Sequence, residues 1–137
     1  MGYRSEVAYK IKFENAEQWN VFLLEAKSKP ETRLCFEDDA LDVLNDQQEI
    51  RFYANWVKWY EDYEDVKCHI ALMALVDEYN VRQEESFIDG KEGSVTPPWG
   101  SYLFRRIGES EDDCESQTGG DPDWDWIELN RSLQTNW

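Results

Sequence analysis

A chain of 137 residues with 41% hydrophobic and 15% aromatic residues is long enough for one domain with a real core, and too short for two ordinary ones. Its 30 acidic and 14 basic residues give a net charge of −16, which excludes DNA, RNA and anionic membranes as favourable direct partners. The charged partners that remain are basic proteins, basic peptides and metal cations, although the same charge also serves solubility alone.

Signals for export and for membrane insertion are missing from the sequence. No segment reaches the roughly 20 consecutive apolar residues of a membrane span, and the N-terminal residues have no apolar signal segment. The three cysteines, Cys35, Cys68 and Cys114, form no Cys-x-x-Cys pair, so we expect reduced thiols in the cytoplasm. His69 adjoins Cys68, and neighbouring helical residues point about 100° apart. We therefore expect a structural or surface histidine and no metal site there.

The first elements are a strand and a helix. Mostly apolar and mostly charged residues alternate over Tyr3–Phe13, and this period of two predicts a half-buried strand. Its outer face, with Lys10 and Lys12, is the one basic surface that the sequence predicts. Asn15 is a good N-cap for a helix that ends near Lys29, before Pro30. The apolar positions of this helix recur at i, i+3, i+4 and i+7: Trp19, Phe22, Leu23 and Ala26.

The next segment leads to an aromatic strand. We expect a short strand at Thr32–Phe36, one or two helical turns at Asp38–Leu44, and a turn at Asn45-Asp46. The central strand is expected at Ile50–Tyr60. Aromatic side chains fall on both of its faces: Ile50, Phe52, Ala54 and Trp56 on one, and Arg51, Tyr53, Asn55, Val57 and Trp59 on the other. The second face therefore needs a cover, which could be the C-terminal segment, a second copy or a partner.

A core helix and a late strand complete the predicted elements. Asp62 is a candidate N-cap for a helix over Val66–Tyr79, whose wide apolar arc indicates deep burial. The remaining expectations, in chain order, are a strand at Glu84–Ile88, a turn at Asp89-Gly90, a loop at Lys91–Ser101, a strand at Tyr102–Ile107, an acidic loop at Glu109–Asp123 and a Trp-rich tail at Trp124–Trp137 that docks on the body.

The element order predicts a single α+β domain over residues 1–137. We expect a four- to five-stranded, mostly antiparallel sheet with two main helices on one face. The order β-α-β-α-β-β is typical of a ferredoxin-like or related split arrangement.

Three segments resemble a group of small uncharacterised bacteriophage proteins. These segments are the opening Gly-Tyr-Arg-Ser-Glu-Val, the Lys58-Trp59-Tyr60 junction, and Arg106-Ile107-Gly108-Glu109 with its trailing acids. Members of the group typically carry a GYRSDV strand, a KWY segment before the main helix and an RIGED-type motif. The resemblance touches most of residues 1–115 and not the Trp-rich tail. It implies a phage origin, a bacterial host cytoplasm and an α+β fold, and no particular reaction.

Two acidic clusters are the candidate partner-binding residues. They are Glu61, Asp62, Glu64 and Asp65 in the first cluster, and Glu109, Glu111, Asp112, Asp113 and Glu115 in the second. Helix capping is the structural alternative for the first cluster, and a solvated loop is the alternative for the second. Duplex DNA carries one negative charge per about 1.7 Å of its axis. Carboxylates held at the end of a sheet could present a similar pattern to a basic groove.

Neither a catalytic motif nor a complete metal motif is recognisable. Ser5, Ser94 and Ser101 have only His69 as a candidate base, and the glycines lack the spacing of a phosphate-binding loop. Asp121–Asp125 resembles the start of a calcium loop, but Trp126 stands where a glycine is required and Ser132 where a glutamate belongs. A weak cation site there is left open. We expect no cofactor and no catalysis.

The sequence therefore favours a non-catalytic phage protein that binds and inhibits a basic host protein. The expected partner is a nucleic-acid-binding defence complex whose groove the acidic clusters would occupy, as in anti-CRISPR or DNA-mimic inhibitors. One alternative is an assembly module that forms a homodimer through exposed aromatic residues. Another is a metal-binding protein or an enzyme of unknown class.

Overall fold

The fold is built on one five-stranded antiparallel sheet. The computed structural model describes residues 4–60, 62–88, 100–109, 113–129 and 133–135. The strands are β1 (Ser5–Phe13), β2 (Leu41–Leu44), β3 (Glu49–Val57), β4 (Gly100–Gly108) and β5 (Cys114–Gly119). Their order across the sheet is β2-β3-β1-β4-β5. The predicted antiparallel sheet is confirmed, but β1 is its middle strand, and not the segment at Ile50–Tyr60.

Helices connect these strands. They are α1 (Ala16–Ser28), the short α2 (Pro30–Arg33) with a 3₁₀ turn at Leu34–Glu37, and the long α3 (Glu64–Ile88). Asn15 caps α1 by accepting hydrogen bonds from the N–H groups of Glu17 and Gln18, as predicted. Trp19, Phe22, Leu23 and Ala26 are the buried positions of α1, which is also as predicted.

Four predicted elements are wrong. Thr32–Phe36 is helical, because Pro30 sits at the first position of a new helix, where it fits well. Asp38–Leu44 ends in strand β2 and not in helical turns. Glu84–Ile88 continues α3, since neither glycine nor proline interrupts the sequence before Gly90. Within the predicted loop at Glu109–Asp123, residues 114–119 form β5.

The connectivity is the ferredoxin-like one with an added strand. β1, α1, β2, β3, α3 and β4 follow each other along the chain, and β2-β3-β1-β4 are neighbours in the sheet. This is two interleaved β-α-β units. β5 extends the sheet beyond β4. Both main helices pack on the same face of the sheet, where one buried cluster joins Phe13 of β1, Phe22 of α1 and Tyr79 of α3.

The C-terminal segment covers the opposite face. A 3₁₀ turn at Trp124–Trp126 leads into β6 (Ile127–Leu129), which pairs with β7 (Leu133–Thr135). Ile127 and Leu133 are buried against Ala8 of β1 and Leu103 of β4. The predicted basic surface on β1 is therefore wrong. Lys10 is buried, with its ammonium 4.4 Å from the centre of the Trp126 ring.

A β-bulge near the end of β3 places Val57 and Trp59 in the core. Ser5 pairs with Val57 and Val7 with Ala54, so β3 contains one extra residue between these pairs. Past the bulge, the side chains change face. Val57 and Trp59 consequently pack against the helix-side core, and Trp56 points to solvent. The expectation that Val57 and Trp59 need a cover from the C-terminal segment, a second copy or a partner is wrong for this reason, whereas Tyr53 is 40% exposed.

Some predicted features lie outside the described residues, namely the Asp89-Gly90 turn and residues 91–99 of the expected loop. Among the described residues, no helix is both long enough and apolar enough to cross a membrane.

Candidate functional site

The topology brings the two acidic clusters to the same end of the sheet. β3 and β4 flank β1, and Ser5 pairs with Val57 on one side and with Gly108 on the other. The first cluster follows β3 and the second follows β4, so both leave the sheet at the start of β1. We call this surface the acidic end. It comprises the Trp56 bulge, the β3–α3 connection and the β4–β5 turn; Glu61, Glu111 and Asp112 lie outside the described residues.

Arg4 ties the two parts of the acidic end together. Its backbone N–H donates to Oε1 of Glu109 at 2.9 Å. Its guanidinium Nη1 donates to the carbonyl oxygen of Trp56 at 3.4 Å. The β3 bulge and the residue that follows β4 are therefore held by one side chain and its own backbone.

Two further predicted binding acids form ion pairs with an arginine. The guanidinium of Arg106 contacts Asp113 at 2.7 Å and Glu115 at 3.1 Å, and it also donates to Ser5 Oγ. Burial acts to lower the pKa of Arg106, but these two carboxylates outweigh it and raise the pKa. Asp113 and Glu115 thus brace the β4–β5 turn, which reduces the charge they can offer to a partner.

The acids at the start of α3 are differently placed. Asp62, Glu64 and Asp65 are exposed, and none of the ion pairs among the described residues involves them. Glu64 and Asp65 lie in the first turn of α3, where the helix dipole favours negative charge. The helix begins at Glu64 and the N–H of Lys67 donates to the carbonyl of Tyr63, so Tyr63, and not Asp62, precedes the first turn.

Trp56 is the feature of the acidic end that the sequence did not reveal. Its backbone is left-handed, with φ at +63°, and 65% of its surface is exposed. A bulky residue in this conformation costs roughly 1–2 kcal/mol. The alternation of residues placed Trp56 on the core face; only the extra residue of the bulge turns it outward. Tyr63, 42% exposed, adds a second ring to this end.

A second cluster of reactive side chains lies under the sheet, between the 3₁₀ turn at Leu34–Glu37 and the first turns of α3. The Sγ atoms of Cys35 and Cys68 and a ring nitrogen of His69 all lie within 4.8 Å of one another. All three residues are buried. The two thiols interact: a hydrogen bond from Cys35 lowers the pKa of Cys68, and that same contact raises the pKa of Cys35.

His69 is held between two oxygen atoms. Nε2 lies 2.9 Å from Oδ2 of Asp38, and Nδ1 lies 2.6 Å from the hydroxyl of Tyr9. Burial lowers the pKa of His69, although Asp38 opposes the shift, so the imidazole is neutral near pH 7. The arrangement fits a ring whose Nε2–H donates to Asp38 and whose Nδ1 accepts from Tyr9.

Cys68 and His69, as neighbours on one helix, do not by themselves predict this cluster. Cys35 comes from a separate turn, and Asp38 follows that turn by one residue. In the described part of the chain, these thiols and this imidazole are the ligating groups that come together. Asp123, from the candidate calcium loop, instead accepts a hydrogen bond from the N–H of Asp125 and caps a 3₁₀ turn.

Comparison of the chain with protein-family models, with curated proteins and with solved structures gives no match. The resemblance to bacteriophage proteins stays an expectation from the sequence.

Proposed function

We propose that this chain is a non-catalytic binding protein whose acidic end attaches to a basic protein surface, and that this surface otherwise holds nucleic acid. The observation that carries the proposal is Trp56, an exposed ring kept in a strained backbone conformation beside clustered carboxylates. Backbone strain of this kind persists where the surrounding structure enforces it, and it gathers at binding sites.

The composition of the acidic end suits an interface. Tryptophan is among the residues that most often dominate binding energy, when it enters a pocket and a ring of weaker contacts excludes water. Trp56 and Tyr63 would supply this anchor. Asp62, Glu64 and Asp65 would form a charged rim that steers a basic partner and sets its orientation.

The overall charge limits the kind of partner. At −16 the chain repels nucleic acid, so it would compete with nucleic acid for a protein instead of binding it. A complex of this type weakens as salt rises, because screening shortens the range of the rim charges to about 10 Å at 0.1 M salt. The phage resemblance directs the search to bacterial proteins, and the inhibition of a host defence complex is the form of this function that we propose.

The test is affinity capture from a bacterial lysate at low and high salt, followed by work with the purified partner. We expect a nucleic-acid-binding protein that is retained at low salt, is lost at high salt, and releases its DNA or RNA when this chain is added. If no captured protein releases nucleic acid, the proposal fails.

Two sets of variants locate the interface. Trp56→Gly should weaken binding roughly 30-fold. This corresponds to a loss of about 2 kcal/mol in binding free energy, the usual threshold for a hot-spot residue. Trp124→Ala, which removes an exposed ring of the C-terminal segment, should have no effect.

The second set neutralises three acids at a time. Changing Asp62, Glu64 and Asp65 to their amides should weaken binding and flatten its salt dependence. The matched control neutralises three exposed acids at the opposite end of the sheet: Glu14, Glu17 and Asp46. Equal losses from both triple variants would show that net charge, and not the acidic end, drives association.

A further inference from the structure

We propose that Cys35, Cys68 and His69 form a binding site for a thiophilic divalent metal ion, with Zn²⁺ as the type. This inference is independent of the proposed function of the acidic end. It also runs against the sequence expectation that His69 is a structural residue and no metal ligand.

The spacing of the ligand atoms supports the site. Zn²⁺ is bound at about 2.3 Å by thiolate sulfur and at about 2.0–2.1 Å by imidazole nitrogen, which in a tetrahedral site places ligand atoms roughly 3.7 Å apart. The Sγ atoms of Cys35 and Cys68 and the nitrogen of His69 lie within 4.8 Å of one another. A contraction of about 1 Å or less, within reach of small side-chain rotations, would therefore enclose the ion.

Asp38 and Tyr9 assign the roles of the two ring nitrogens. Asp38 accepts a hydrogen bond from Nε2, as the orienting carboxylate of a metal-bound histidine does. Nδ1 is then the ligand, on the side where the Tyr9 hydroxyl lies. The hydroxyl would give up its bond to Nδ1, and it or a water molecule would take the fourth position.

Charge and access are also compatible with a bound ion. The formal charges of two thiolates, a neutral imidazole and a divalent cation sum to zero. Binding therefore avoids the cost of an uncompensated charge in the interior. Binding replaces the two S–H protons, which pass to solvent. A pocket of about 260 Å³ between α2 and α3 is lined by Pro30, Leu34, Lys67 and Cys68, among others, so an open pocket borders the helix turn that carries Cys68.

The test uses cobalt(II) as a visible probe with the full chain under reducing conditions. We expect one Co²⁺ per chain, with the absorption of a tetrahedral thiolate site, displacement of the cobalt by Zn²⁺, and release of two protons per ion. If the reduced wild-type protein binds neither Co²⁺ nor Zn²⁺, or binds Co²⁺ without thiolate absorption, the proposal is overturned. The wild-type result decides this even where a variant fails to fold.

Variants then identify the ligands. Cys35→Ser, Cys68→Ser and His69→Asn should each weaken cobalt binding at least tenfold and change the spectrum, in samples whose circular dichroism shows the fold intact. Cys114→Ser is the matched control, because Cys114 is exposed on β5 and away from the cluster. Loss of the cobalt signal in Cys114→Ser, with retention in the other three, would assign the metal to an adventitious surface thiol and refute the site.

Discussion

Three basic side chains converge on the carboxylate of Glu49. Its Oε1 lies 3.2 Å from Nζ of Lys10 and 3.2 Å from Nζ of Lys12, and its Oε2 lies 2.7 Å from Nη2 of Arg51. The side chains of Lys10 and Glu49 are only 7% and 6% exposed. We predict that Glu49→Gln, which keeps the shape and removes the charge, destabilises the protein strongly.

The expected cost follows from what the substitution leaves behind. Without the carboxylate, the buried ammonium of Lys10 faces Arg51 with no compensating charge. Removing one partner of a buried ion pair typically costs about 3–5 kcal/mol, a large share of the roughly 5–15 kcal/mol that stabilises a domain. Lys12 is 31% exposed, so Lys12→Met should cost about 1 kcal/mol or less.

Urea unfolding of four proteins measures this coupling: the wild type, Glu49→Gln, Lys10→Met and the double variant. The double variant should be more stable than Glu49→Gln alone, because it no longer buries an unpaired ammonium. The expected coupling energy is at least about 1 kcal/mol. The buried pair would not be stabilising as described if the free energy of unfolding of Glu49→Gln is within about 1 kcal/mol of the wild-type value. The same holds if the effects of Glu49→Gln and Lys10→Met are additive.

The same substitution should change the response to acid. Burial alone would raise the pKa of Glu49, but hydrogen bonds from Arg51, Lys12 and Lys10 outweigh burial and lower it. A pKa that is lower in the folded state than the unfolded value of about 4.3 contributes stability that is fully present above that value and is lost as pH falls through the folded pKa. The difference in free energy of unfolding between the wild type and Glu49→Gln should therefore become smaller below about pH 4. A difference that does not change with pH would contradict the lowered pKa of Glu49.

Three further predictions concern backbone positions, each measured by urea unfolding. Asn80 is buried and exchanges two hydrogen bonds with the backbone of Gly100, at 2.8 and 2.9 Å. Asn80→Ala should therefore lower the free energy of unfolding by about 2–4 kcal/mol. A loss smaller than about 1 kcal/mol would show that these two hydrogen bonds contribute little to stability. Gly119→Ala should cost about 1–3 kcal/mol, because its new Cβ would overlap the ring of Tyr102; the control Ser116→Ala, on the same strand and exposed, should be neutral. Trp56→Gly should stabilise the fold by up to about 1 kcal/mol by relieving the left-handed backbone, and a net loss would mean that the exposed ring contributes to folding.

Secondary structure could be predicted from the sequence where the local residue pattern and the tertiary structure agree. Alternation over β1 and the stripe of α1 with its Asn15 cap are local signals, and both elements appear where they were predicted. The errors come from interactions between distant residues. The bulge in β3 depends on its pairing with β1, and no local pattern shows that Trp56 turns outward.

The two candidate sites show the same division. The acidic residues were visible as composition, but their shared position at one end of the sheet depends on the order of the strands. Arg106 compensates the charges of Asp113 and Glu115 through contacts that join β4 to β5. Cys35 and His69 are 34 positions apart in the sequence, and only the packing of the 3₁₀ turn on α3 brings them together.

The middle position of β1 has a consequence for how the chain folds during synthesis. β1 is synthesised before both of its partner strands, and it pairs on one side with residues up to Val57 and on the other with residues up to Gly108. Glu6 is further bonded to the N–H of Leu133, 127 positions away. Contacts so distant in sequence slow folding, because a large loop must close before they form. We therefore expect the sheet to assemble only after β4 has been made, and the unpaired edges of β1 to need protection until then.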